Sequence, residues 1–179
     1  MYIPSKSQSH GRIGEAAVLA KCWMHGIPAH NTGGLRANFA GSDLIVESTD
    51  LRNKIWVQVK TGAPIRKSHV YLTQCAGDED LTVPKFSADF VVFVNLVMRT
   101  AKSHTHDGSL DFQSLSFYIV PGAKANLIYQ GAVKALAAKP KRDGGSRKLG
   151  NMAVNVPGDD MADYKDASGQ LKSASKAAG

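Results

Sequence analysis

The sequence predicts an α/β sandwich built round a mixed β-sheet. Three observations lead there. An apolar rhythm of 3.6 residues runs near the N-terminus, a series of strand-length apolar runs fills the middle, and a second helical stretch follows the last of them. Helix, three strands, strand, strand, helix is an order that buries both faces of one sheet.

The first helix is predicted from about Arg12 to His25, with Ser7 or Ser9 as its cap, Gly26 as its stop and Pro28 just beyond. Ile13, Ala16, Ala17, Ala20, Trp23 and Met24 fall on one broad arc, which Val18, Leu19 and Cys22 extend, while Lys21 and His25 lie outside it. NTGGLRANFAGS is a loop by composition. Asp43–Glu47 (DLIVE) reads as a short strand. Lys54–Thr61 (KIWVQVKT) alternates, with Ile55, Val57 and Val59 on one face and Trp56, Gln58 and Lys60 on the other. His69–Thr73 (HVYLT) is a weaker strand that ends at the acidic turn GDED. Ala88–Val97 is the most apolar run and suits a central strand covered on both faces. Leu115–Val120 is a further strand, and a helix follows from about Ala123 to Ala138. Residues 1–138 are thus predicted as one domain, and residues 139–179 as a basic linker (KPKRDGGSRKLG) with a flexible or partly helical tail.

The charge balance narrows the partners. Lys plus Arg number 22 against 15 Asp plus Glu, a formal charge of +7. Residues 1–70 carry nine basic and four acidic groups, residues 71–133 four and six, and residues 134–150 six and one. That surplus makes a polyanion the first partner to consider, with nucleic acid ahead of membrane because no basic amphipathic helix is evident. No apolar run approaches the roughly 20 residues that span a bilayer. The opening MYIPSKSQSH has no secretory signal, so the expected location is cytoplasmic. Cys22 and Cys75 have no metal-ligand spacing, which argues against a disulfide framework and a structural zinc.

Four side chains carry the chemistry. Glu15 lies inside the apolar arc of the first helix, where a carboxylate is costly unless something binds it. Asp43 opens an apolar strand, and Gln58 and Lys60 share one face of the next. One at a time, these are what a rotated helix, a strand-edge aspartate and a solvated sheet face provide. Together, an aspartate before one strand and a polar-x-Lys on the next bring three groups to one place, with the helix carboxylate as a fourth. Hard cations such as Mg²⁺ take oxygen ligands and keep several waters. Asp43 and Glu15 supply carboxylate oxygens, Gln58 an amide oxygen and Val59 a carbonyl, and Lys60 is then placed to orient water or neutralise a phosphate.

GSDLIVE…IWVQVKTG resembles the PD-(D/E)xK signature of restriction-endonuclease-like nucleases, and GRIGEAAVLAKCWMHGI resembles the helix that precedes it in that family. The resemblance covers roughly Gly11 to Thr61. It implies a three-layer sandwich with a central mixed sheet flanked by helices. It also gives Asp43, Gln58 and Lys60 the core motif positions and Glu15 the helix position. Ser42 stands where many members have proline, and Gln58 replaces the usual acid, lowering the charge at the metal by one unit. Homing endonucleases of this fold and some junction resolvase-like proteins resemble this chain in using Gln there. The implied activity is Mg²⁺-dependent endonucleolytic cleavage of DNA, double-stranded or branched, with Mn²⁺ as a substitute and a homodimer as the expected assembly. A nuclease-fold module that binds DNA or protein without turnover is the alternative.

Further polar and basic groups are candidate DNA contacts: Arg36 and Asn38 in the loop before Asp43, and Lys139, Lys141, Arg142, Arg147 and Lys148 in the linker. A solvated loop and a solubilising linker explain the same residues. His104 and His106 sit in a polar stretch that needs no metal, and Asp78–Asp80 lacks the twelve-residue pattern of a calcium loop.

Overall fold

The computed structural model describes residues 6–32, 41–47, 54–75, 80–98, 112–139, 150 and 152–177. Its elements are α1 (Lys6–Met24), β1 (Ala29–Asn31), β2 (Leu44–Glu47), β3 (Lys54–Gly62), β4 (His69–Gln74), β5 (Phe90–Met98), β6 (Phe112–Pro121), α2 (Gly122–Ala137), β7 (Ala153–Pro157), a 3-10 helix (Asp159–Tyr164) and α3 (Ser168–Ala177). Five strands make one mixed sheet in the order β1-β2-β3-β5-β6, in which only β3 and β5 run parallel. β4 and β7 form a separate antiparallel pair.

Strand alternation divides the core in two. Val57 and Val59 of β3 and Val92 and Val94 of β5 face α1 and α3, where they meet Val18, Cys22, Ile27 and Leu171. Val91 and Phe93 of β5 face the other way, onto Ala125, Tyr129 and Val133 of α2 and Val70, Leu72, Val154 and Val156 of the β4–β7 pair. Asn95 joins the two sheets inside this second core. Its Nδ2 donates to the His69 carbonyl at 3.2 Å, and its Oδ1 accepts from the Tyr71 amide at 3.1 Å.

α1 starts six residues earlier than the sequence predicts, running through Ser7 and Ser9 instead of being capped by them. Ser9 and His10 are partly buried, so packing carries the helix past its capping signal. Its end is as predicted. Gly26 takes φ +67°, with Ile27 N donating to Cys22 O at 2.9 Å and Gly26 N to Trp23 O at 3.0 Å, which closes the helix in a Schellman turn.

The apolar arc of α1 is a correction. Trp23 is 62% and Met24 86% exposed, and Ala16 and Ala20 also face out. The buried seam is Gly14, Val18 and Cys22, four residues apart, and Lys21 flanks it with its Nζ 2.7 Å from Asp166 and 4.7 Å from the Phe117 ring centroid. α1 docks through Gly14, where a Cβ would overlap the Thr61 side chain of β3. Glycine has no apolar bulk, so a reading weighted by hydropathy centres the arc too far round.

The C-terminal segment is a second correction. Residues 153–177, read from the sequence as part of a tail, form β7, the 3-10 helix and α3, and bury Val154, Val156, Met161 and Leu171. β7 completes β4, which the sequence reading had put among the main strands. The linker positions 140–149 lie outside the described residues. No helix among the described residues is long and apolar enough to cross a membrane.

Candidate active site

The β2–β3 hairpin brings the first three groups together. β2 and β3 pair antiparallel, with Leu44 opposite Val57. Just before β2, the Asp43 amide donates to Val57 O at 2.9 Å, and Asp43 Oδ2 accepts from Val59 N at 2.7 Å. Asp43 is therefore fixed to β3 on both sides of Gln58. Asp43 O in turn accepts from Thr32 N at 2.9 Å, which ties this corner to the end of β1.

Gln58 and Lys60 share the face of β3 that looks towards α2, in line with Val91 and Phe93 of the parallel neighbour β5. Gln58 is 8% exposed, and its Oε1 is buried without a hydrogen-bond partner. Leaving such an oxygen unpaired costs about 1–3 kcal/mol, and among the described residues nothing offsets that cost. Gly41 (φ +87°) closes in beside it: a Cβ at Gly41 would lie 4.0 Å from Gln58 Nε2 and would overlap the Ser87 hydroxyl. The positive φ at this position favours glycine.

Glu15 enters from the other layer. α1 packs on the Val57–Thr61 face, opposite Gln58 and Lys60, and Glu15 stands half-buried with its Oε2 accepting from Asn31 Nδ2 at 3.2 Å. Burial raises the Glu15 pKa above the usual carboxylate range and the charge of Asp43 raises it further, while Asn31, Arg12 and Lys60 pull it down. Burial likewise raises Asp43, against the opposing effects of the Val59 amide and Lys60. Lys60 is lowered, first by burial and then by the neighbouring Lys85, with Asp43 and Glu15 opposing. In each of the three, desolvation outweighs the partners, so the site holds charge at a cost.

Among the described residues no three His, Cys, Asp or Glu side chains gather as metal ligands. A divalent ion here would take two carboxylates and complete its shell from groups outside that set. Gln58 Oε1 fits this need, being a buried neutral oxygen with no other partner. The Val59 carbonyl leaves β3 on the same edge as its N–H, towards Asp43.

The sequence reading missed the segment that roofs this face. Residues 80–89 are fastened to α2: Phe86 N donates to Asn126 Oδ1 and Asn126 Nδ2 to Phe86 O, both at 2.9 Å, and Gln130 Nε2 donates to Leu81 O at 2.9 Å. Lys85 and Ser87 flank the buried Phe86. No spacing in PKFS marks them, because their place depends on α2, forty residues on.

Of the candidate DNA contacts, only Lys139 is described. It is exposed at the end of α2, on a cavity of about 670 Å³ between α2 and the β4–β7 pair that none of Glu15, Asp43, Gln58 and Lys60 lines. Arg36, Asn38, Lys141, Arg142, Arg147 and Lys148 lie outside the described residues, as do His104 and His106. Asp80 sits in a turn, its Oδ1 accepting from Thr82 N at 2.8 Å and Thr82 Oγ1 at 2.6 Å. Cys22 and Cys75 are both buried, and neither takes part in a disulfide. Compared with protein-family models, with curated proteins and with solved structures, the chain matches none.

Proposed function

We propose that this protein is a divalent-metal-dependent endonuclease of the PD-(D/E)xK type, hydrolysing phosphodiester bonds in DNA. One observation carries the reading: Asp43 Oδ2 accepts from the amide of Val59, the residue between Gln58 and Lys60, and the buried Gln58 Oε1 has no hydrogen-bond partner among the described residues. A carboxylate, an amide oxygen and a cation held on one rigid hairpin suit a metal ion next to an anionic phosphorus centre.

Asp43, Gln58, Glu15 and the Val59 carbonyl are the groups that would hold Mg²⁺ or Mn²⁺. Bound there, the ion would polarise a phosphate oxygen and make a water more acidic. The chain's own groups do the rest. The Val59 amide holds one Asp43 oxygen and leaves Oδ1 to turn towards the ion. Lys60, half-desolvated, offers an ammonium whose interaction with a phosphate oxygen strengthens as negative charge develops. Asn31 keeps the Glu15 carboxylate oriented. The net charge of +7 supports a polyanionic substrate, and two-strand cleavage would call for a homodimer.

The experiment is a cleavage assay on duplex, single-stranded and branched DNA with Mg²⁺ or Mn²⁺. Asp43→Ala and Lys60→Ala are expected to cut at least about a hundredfold more slowly while duplex binding persists. Variants that cut as well as the parent would refute the assignment. Gln58 in place of an acid favours a second reading, a DNA-binding module without turnover. That reading predicts no cleavage with either ion and no Mn²⁺ heat that depends on Asp43.

A further inference from the structure

The cavity between α2 and the β4–β7 pair lies apart from the candidate active site, and its walls are apolar beyond what the core requires. Beside the core row of Ala125, Tyr129 and Val133, α2 carries two more rows at four-residue spacing. Ile128, Ala132 and Leu136 are half-buried, while Leu127, Gly131 and Ala135 are exposed. Both rows line the cavity of about 670 Å³, together with Val154 and Val156 of β7 and Ile65 of the β3–β4 connection. The outer row of a surface helix ordinarily carries polar residues, yet Leu127 is 63% and Ile65 73% exposed. Gly131, in the helix interior, disfavours the helix, and among the described residues a Cβ there would meet nothing within 4 Å outside the helix backbone. Packing does not demand that glycine. Its missing side chain keeps the cavity open.

The polar groups of the lining narrow the ligand. Asn155 Oδ1 accepts from Ile65 N and Asn155 Nδ2 donates to Ala153 O, both at 3.3 Å, so this amide has little left to offer. A peptide backbone laid along such walls would leave its own N–H and C=O groups unpaired, whereas a hydrocarbon chain has none to satisfy. The charged residues of the lining are Arg66, Lys139 and Asp160, a surplus of one positive charge with His69 counted as neutral. Among the described residues neither the Arg66 guanidinium nor the Lys139 ammonium pairs with an acid. A guanidinium fork matches a carboxylate through two parallel hydrogen bonds.

We propose that this cavity binds a free long-chain carboxylate, its hydrocarbon chain against Leu127, Ile128 and Val156 and its head group at Arg66, supported by Lys139. The single negative charge matches the surplus, and the volume falls in the range of roughly 300–1,000 Å³ that takes small ligands. A concave hollow suits one enclosed chain better than the flat surface of a bilayer. None of Glu15, Asp43, Gln58 and Lys60 lines the cavity, so the proposal stands apart from the nuclease reading.

Isothermal titration of the full chain with dodecanoate, dodecanol and dodecylamine, each below its micellar range, tests this. The parent is expected to bind dodecanoate at least about tenfold more tightly than dodecylamine. Arg66→Ala should weaken dodecanoate about tenfold and leave dodecanol unchanged. Gly131→Leu projects into the cavity and replaces a helix glycine, so it should abolish binding of both while the thermal midpoint stays level or rises. Ala135→Leu, one turn on in the same exposed row, gives the same reading independently of Gly131. A parent that takes up no dodecanoate overturns the proposal, as does equal affinity for dodecylamine. Folded Gly131→Leu and Ala135→Leu that bind like the parent also overturn it, since the chain would then lie elsewhere. Flotation of the parent with phosphatidylglycerol vesicles that is lost in Gly131→Leu would make this face a membrane contact and end the assignment.

Discussion

Asp43 is a carboxylate held in the fold against the cost of its own burial. Burial raises its pKa more than Lys60 and the Val59 amide lower it, so the folded state holds the Asp43 proton more tightly than the unfolded chain does. Stability therefore falls as pH rises from the ordinary aspartate value of about 3.9 through the raised folded value, and levels off above it. Asp43→Asn keeps an acceptor for Val59 N and removes the buried charge. At neutral pH it is expected to raise the thermal midpoint by about 1–3 °C, a gain that vanishes below about pH 3, and calorimetric scans across pH check both. Lys60 works in the opposite sense: its lowered pKa makes the folded state less stable below the lowered value and relieves this as pH rises through it towards the ordinary lysine value. The shared face of Gln58 and Lys60 was legible because a two-residue spacing on a strand determines which side chains lie on the same side. Lys85 and Asn31 were not, because each reaches the site from an element whose position no local pattern encodes.

α1 shows the same division in its packing. Its existence and its stop at Gly26 follow from composition, whereas its rotation does not. The deciding contact is Gly14 on Thr61, which draws the helix backbone onto β3 and brings the adjacent Glu15 near the hairpin. Gly14→Ala adds a methyl where Thr61 already stands. An overpacking cost of about 1–3 kcal/mol exceeds the gain of about 1 kcal/mol from helix propensity. The expected result is a thermal midpoint lower by about 2–4 °C and a weaker Mn²⁺ heat, as Glu15 moves away. Thr61→Ala in the same chain removes the hydroxyl nearest the new methyl and should recover part of both. An unchanged midpoint in Gly14→Ala would mean that the helix shifts without penalty and that the close approach does not position Glu15.

For the molecule as a whole, the C-terminal residues matter most to cohesion. Leu171 of α3 is 2% exposed and seals the core over β2, β3 and β6, while Val154 and Val156 complete the opposite core through β4. Leu171→Ala is expected to cost about 2–5 kcal/mol, read as a lower midpoint in urea unfolding with an unchanged slope. A chain that ends at residue 150 should lose cooperative unfolding altogether. Local rules revealed the alternating hairpin, the apolar interior strand, the helix after Pro121 and the shared face of Gln58 and Lys60 on β3, because period and turn chemistry act over a few residues. They were silent on the rotation of α1, the pairing of β4 with β7, the docking of α3 and the Lys85 roof. Those depend on which surfaces fit together over long stretches of chain, and a strand as short as AVNVP becomes core only when a partner strand covers it.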